Sequence, residues 1–275
     1  HPNIGLVGPM SNSVSGPQLV GTVNYGKNTK AMQRFAMDFA AKNNGKSSEI
    51  LRVVGFCLLI KRHVLDIIGG LDENYGNGNY EDDDLCLRAR IAGFRNIIAH
   101  DVFIHHYGSM TFKGNKIDYT NSLDCNRQRF ADKWKDIIEV NGNEYRLRMK
   151  KEDQVKKLLE WGEERFSQRN FKAAVKIFER VLKFDKTNSQ AMNNLGVIQW
   201  QIGREPAHAM KTFQAALTLN PKDSDALENL VQAAMESSRF DLINPALLNT
   251  VKKAQPANPD LVSLINSQQN SAMTA

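Results

Sequence analysis

Cysteine is scarce in this chain. Its 275 residues hold three, Cys57, Cys86 and Cys125, far apart, odd in number and in no CxxC pair. That excludes a disulfide framework and makes a reducing cytosol the default compartment. Long apolar runs are also missing. The longest, residues 53–60, has the length of a strand and falls well short of the ~18 residues of a membrane span. Nor is there a run of basic residues. The net charge is +6, with 20 Lys and Arg against 16 Asp and Glu over residues 1–150, and 16 against 14 over 151–275. An excess spread this thinly means weak attraction to anions and excludes a nucleic-acid footprint. Hydrophobic content of 41% and charged content of 24% are ordinary for a globular chain long enough to bury a real core. The sequence begins with His1 inside an apparent strand, Ile4-Gly-Leu-Val-Gly-Pro9, so a piece of a longer protein is expected.

What stands out is acid. Gly70-Leu-Asp-Glu73 is followed by Tyr80-Glu-Asp-Asp-Asp-Leu-Cys-Leu-Arg88, in which four consecutive carboxylates repel one another. Leu85, Ala89 and Ala92 then fall on one helical face, with Gly93 where a C-cap belongs. The acids therefore open a helix, where free N–H groups and the macrodipole offset part of the repulsion. Such a cluster suits a general base or a metal site. The bland alternative is an acidic N-cap with a solvated first turn.

Along residues 1–112, short apolar runs alternate with turn signals. Segments 4–7, 53–60 and 97–104 read as strands, 32–41 and 81–92 as helices, and 69–70 and 76–79 as turns. The mixture predicts an α/β layer structure. Residues 11–26, rich in Ser, Asn and Gly, read as a long loop in which Ser11, Asn12 and Gln18 are polar candidates for substrate contact or for structure. Residues 122–138 read as an amphipathic helix carrying Phe130, Trp134 and Ile137, and 139–152 as a polar linker. From Val155 onward helix follows helix. Trp161-Gly162 matches Leu195-Gly196, and Ala174, Phe178 and Leu182 match Ala209, Phe213 and Leu217. That period, near 34, resembles tetratricopeptide repeats over 153–255. A third, degenerate or capping unit keeps Asn229-Leu230, with Pro245 interrupting its second helix. Residues 256–275 are expected to be a flexible tail.

Six blocks carry a second resemblance: Val7-Gly8-Pro9 with Ser11-Asn12, residues 54–62, 69–73, 80–88, Ala92-Gly93-Phe94, and Val102-Phe-Ile-His-His-Tyr-Gly-Ser109. In order and spacing they resemble the second half of a family 2 glycosyltransferase of the GT-A fold, over about residues 1–138. The resemblance implies a partial GT-A, Rossmann-like nucleotide-diphospho-sugar transferase domain followed by an all-α repeat solenoid. It implies transfer of a sugar from a nucleotide-diphosphate donor to an acceptor hydroxyl with inversion, which needs a base on the face opposite the leaving diphosphate. The family's Glu-Asp motif falls on Glu81-Asp82, with Asp82 as the base. Asp84 and Arg88 stand at i, i+4 and are expected to pair; with Gly55, Phe56, Cys57 and Lys113 they complete the implied substrate-binding set. A divalent ion, Mg2+ or Mn2+, is implied, with His106 as a ligand in preference to His105. Its main ligands are expected in the first half of such a domain, since no Asp-x-Asp strand end precedes residue 82. The chain alone is therefore expected to be inactive and its intact parent active.

The implied partners are a nucleotide sugar, a glycan or protein acceptor, and a protein or peptide in the repeat groove, with no nucleic acid and no membrane span. The implied location is cytoplasmic, with peripheral attachment to the inner face of a membrane as an option. A role in bacterial polysaccharide synthesis or protein glycosylation follows from the resemblance alone. Two other readings compete: a non-catalytic interaction scaffold, and a metal-dependent hydrolase or nuclease built on the acidic cluster. The hydrolase would need more metal-spaced ligands than the His105-His106 pair offers.

Overall fold

The structure, a computed structural model, describes residues 1–108, 119–141, 144–254 and 258–274. The chain divides into a mixed α/β unit, His1–Gln154, and a helical unit, Val155–Ala275. Among the described residues no helix is long and apolar enough to cross a membrane.

The first unit runs β1 (Ile4–Met10), α1 (Thr29–Asn43), β2 (Ser47–Ile50), β3 (Leu59–Ile60), α2 (Arg62–Ile68), α3 (Glu81–Ile91), β4 (Arg95–Phe103), α4 (Tyr119–Trp134), β5 (Ile138–Asn141) and β6 (Glu144–Leu147). Four strands form a mixed sheet in the order β2-β4-β1-β3. The central pair, β1 and β4, is parallel, with Val7 opposite Ile97 and Gly8 opposite Ile98, and the two edge strands are antiparallel to it. Leu6, Ile97 and Ile98 are buried, as expected of parallel strands covered on both faces. β5 and β6 pair separately.

Helix α3 has the expected bounds, and its C-terminus shows why. Gly93 adopts φ 74°, its N–H reaches the Arg90 carbonyl and the Phe94 N–H reaches that of Ala89. This is the paired closure that a glycine one residue past the cap permits. The helix also buries Leu85, Cys86, Leu87 and Ala89.

Residues 53–60 depart from expectation. Only Leu59–Ile60 form a strand. The preceding N–H groups serve distant side chains instead of a neighbouring strand: Val53 donates to Cys86 Sγ (3.3 Å), Val54 to Gln18 Oε1 (2.8 Å) and Gly55 to Asp82 Oδ2 (2.6 Å). An apolar run reads as a strand, but a strand needs ladder partners, and here the donors are already taken. Residues 139–152, expected to be a linker, carry most of the β5–β6 pair, with Ile138 buried at its start.

The helical unit contains the rest of α5 (Lys151–Ser167), then α6 (Phe171–Phe184), α7 (Ser189–Gln201), α8 (Pro206–Leu219), α9 (Ser224–Ser237), α10 (Pro245–Lys253) and α11 (Pro259–Thr274). Short polar residues start these helices. The side chains of Asn170, Asn188, Asp223 and Asn244 accept first-turn N–H groups of α6, α7, α9 and α10, as good N-caps do. Successive helices pack together, α6 on α7, α7 on α8 and α8 on α9. The repeat recurs in the packing. A Cβ on Gly162 would lie 2.4 Å from Phe178, and one on Gly196 2.5 Å from Phe213. In each pair the missing side chain lets an aromatic ring lie against the helix backbone.

Pro245 does not interrupt a helix. It opens α10, at a first-turn position that needs no N–H donor. Nor is 256–275 a free tail among the described residues, because α11 buries Val262 and Ile265 in the core formed by α8, α9 and α10.

Candidate functional site

The acidic turn is entered through strained backbone. Asn79 (φ 74°) and Tyr80 (φ 70°) are consecutive non-glycine residues in the left-handed region, a conformation that persists only where its surroundings enforce it. The enforcement comes from α4. Buried Asn126 donates its amide to the carbonyls of Tyr75 (2.8 Å), Gly78 (2.9 Å) and Asn79 (3.1 Å). Ser122 donates to Gly78, and the Phe130 ring packs on Tyr80. Sequence reasoning missed Asn126. Its signal was a polar residue at the i position of the i, i+4, i+8 stripe that continues with Phe130 and Trp134.

The four carboxylates then diverge. Asp82 is half-buried, and its two oxygens accept the N–H groups of Gly55 (2.6 Å) and Asp83 (3.0 Å). Position 55 must be glycine for this approach, since a Cβ there would lie 2.9 Å from the Asp82 Cβ. Glu81 carries a buried oxygen, Oε2, without a hydrogen-bond partner among the described residues, and burial followed by the nearby Asp82 charge raises its pKa. Asp83 is buried and pairs with Arg52 at 3.5 Å, and Arg52 also bonds Ser15. Burial, reinforced by Asp82 and opposed by Arg52, pushes the Asp83 carboxyl up to about 8. Tyr145 on β6 has a buried hydroxyl with no partner among the described residues, and burial with the Asp83 charge keeps it protonated.

Asp84 and Arg88 leave the expected substrate-binding set. Asp84 has 0% exposure and binds Arg88 Nε (2.7 Å), Trp134 Nε1 (2.8 Å) and Lys133 Nζ (2.6 Å). Arg88, also buried, holds the carbonyls of Ile68 and Gly70. Their donors and acceptors are already matched inside the unit, and nothing of Asp84 is left to face a ligand.

Asp83 sets a pH test. Its folded pKa lies above the ordinary carboxylate range, so between about pH 4 and pH 8 the folded state keeps a proton that the unfolded chain has lost. Its stabilising contribution is therefore full at the acid end and declines as pH rises towards 8, by at most about 1.4 kcal/mol per pH unit. Asp83→Asn cannot ionise. Its urea midpoint is expected to fall less than wild type between about pH 5 and pH 8, and parallel curves would refute the assignment.

The strand end brings His106 to the same region. Its ring stacks on Phe56 with centroids 5.1 Å apart, next in sequence to the Gly55 that caps Asp82. Nδ1 lies 2.6 Å from the Ser13 carbonyl. Only an N–H can face a carbonyl, so Nδ1 carries a proton, and in the neutral ring the free lone pair is on Nε2. Asn12 brackets the same residue, accepting its N–H (2.9 Å) and donating to its carbonyl (3.2 Å). A ring held in this way leaves Nε2 as the atom able to take a ligand.

His105 turns elsewhere, bonding the Tyr25 hydroxyl (2.7 Å) among Tyr25 and Tyr107. Cys57 is half-buried, Gln18 is buried against the Pro9 carbonyl, and Lys113 lies outside the described residues. Among the described residues no three His, Cys, Asp or Glu side chains gather to hold a metal ion. His106 therefore fits the role of a single ligand and not of a complete site.

No family model matches the chain. Over 57 residues, 21% of its length, it is 39% identical to Uncharacterized protein y4gI of Sinorhizobium fredii (strain NBRC 101917 / NGR234), and the match spans 6% of that protein.

Proposed function

We propose that the first unit is part of an inverting sugar transferase that uses a nucleotide-diphosphate donor, and that the second is a tetratricopeptide-like repeat array presenting a partner to it. The observation that carries this reading is the meeting of Asp82 and His106 through one dipeptide, Gly55 binding the carboxylate and Phe56 stacking on the imidazole. The Asp82 carboxylate, held by two N–H groups and still offering lone pairs, suits proton removal from an acceptor hydroxyl. His106, with Nδ1–H committed to Ser13, offers Nε2 to a divalent ion, whose chemistry when bound is neutralisation of the leaving diphosphate. Loop 11–26, pinned by Asn12 and Gln18, positions both. Recurrence of the glycine–phenylalanine contact at 162/178 and 196/213 supports the repeat reading.

The test is release of nucleoside diphosphate from a panel of nucleotide sugars by the longest reading frame that carries these residues, with and without Mg2+ or Mn2+. Turnover that needs the metal is expected. Turnover unchanged by chelator would remove the role given to His106, and no turnover with any donor would favour the scaffold.

A further inference from the structure

The positive charge of the first 150 residues is concentrated in one place. Lys27, Lys30, Arg34, Lys42 and Lys46 face a single acid, Asp38, within twenty residues, and this accounts for the whole +4; the remaining 15 cations and 15 anions balance. Among the described residues, seven of the other cations form salt bridges, as Arg52 does with Asp83, Arg90 and Arg95 with Glu49, and Lys133 with Asp72 and Asp84. Lys27, Lys30, Arg34 and Lys42 are exposed and make no salt bridge among the described residues.

Three of these five lie on α1, a 15-residue helix with no buried residue, and Lys27 and Lys46 lie within three residues of its ends. Its inner stripe, including Phe35 and Phe39, packs against Tyr25 and Phe103. Its outer stripe at i, i+4, i+7 and i+11 is Lys30, Arg34, Met37 and Ala41. Met37, one turn from Arg34 and two from Lys30, is 73% exposed, with Asp38 beside it in sequence and Lys42 about 120° round the helix from Lys30.

We propose that α1 docks the protein on an anionic phospholipid surface, its cations against phosphate and Met37 entering the headgroup layer. A helix lying on a sheet is convex and offers no groove to a peptide, whereas a plane of phosphates meets its whole length. An exposed apolar side chain in line with Lys30 and Arg34 matches the layering of a bilayer interface, phosphate outside and hydrocarbon beneath. The proposal uses no group that binds Asp82 or His106, so it does not depend on the transferase reading.

Co-sedimentation of the full chain with vesicles tests it. Binding is expected to phosphatidylcholine vesicles containing phosphatidylglycerol, not to phosphatidylcholine alone, and is expected to be reversed by high salt. Each charge removed should weaken partitioning roughly fivefold, so a Lys30→Gln, Arg34→Gln, Lys42→Gln triple variant should bind about 100-fold more weakly. Met37→Gln should weaken it several-fold at unchanged charge, and it remains a valid test if the triple variant misfolds. Neutralising Lys172, Lys211 and Lys222 in the helical unit should leave binding intact. Absence of binding to the anionic vesicles, or equal binding by the triple variant, overturns the proposal. So does binding to heparin without binding to vesicles, which would assign α1 to an acidic polymer.

Discussion

Asp84→Ala is expected to destabilise the first unit by about 3–5 kcal/mol, the cost of stripping one partner from a buried ion pair. The side chain has no solvent to retreat to. It holds Arg88, Lys133 and the Trp134 indole at 2.6–2.8 Å, and Tyr75 leans on it from 3.4 Å. Removing it leaves a guanidinium buried without its carboxylate and an indole N–H without an acceptor, each a desolvation cost with no return. The damage should spread, because Arg88 also binds the carbonyls of Ile68 and Gly70 and so fixes the turn that precedes the acidic helix. Asp84→Asn keeps an acceptor for Trp134 and loses the charge, so it should fall between alanine and wild type. Urea unfolding followed by tryptophan fluorescence reads the difference. A loss under about 1 kcal/mol on Asp84→Ala would mean that the cluster is better solvated than its packing indicates.

Asp82→Asn is expected to act on chemistry and not on folding. The amide oxygen can still accept the Gly55 N–H, so that contact to the 53–57 loop survives while the bond from the Asp83 N–H is lost, and the side chain can no longer take a proton. Turnover by the longest reading frame should drop about 10²–10⁴-fold, the usual worth of a general base, with KM for the nucleotide sugar little changed. Full activity would sink the base assignment, while a matched fall in thermal stability would point to a structural role. Where the protein acts only as a scaffold, the substitution changes neither turnover nor partner binding, so one variant separates the two readings.

The local parts of this molecule were readable from sequence. Four acids and a glycine twelve residues apart bound α3, because the dipole and the left-handed cap act within one turn of the chain. The repeat spacing likewise located Gly162 and Gly196 opposite their rings. What stayed hidden depends on residues far apart. Val53 to Gly55 look like a strand until Cys86, Gln18 and Asp82 take their N–H groups. The adjacent acids 82, 83 and 84 look alike until packing sends one to a loop, one to Arg52 and one into the core. The basic excess looked diffuse when counted by halves, and only the bounds and exposure of α1 showed that it gathers on and beside one exposed helix. Asn126 looked like an ordinary helix residue, because the carbonyls it serves are 47 to 51 positions away.

The anchoring of the 53–57 segment has one more consequence. A strand is held by a ladder and is released cooperatively, whereas this segment hangs from three independent hooks, one on the buried face of α3, one on the long loop and one on the carboxylate of Asp82. Each can let go without the others. A change in the hydrogen bonding of Asp82 is therefore expected to release Gly55 and the neighbouring Phe56 while Val53, held by Cys86 and fully buried, stays in place.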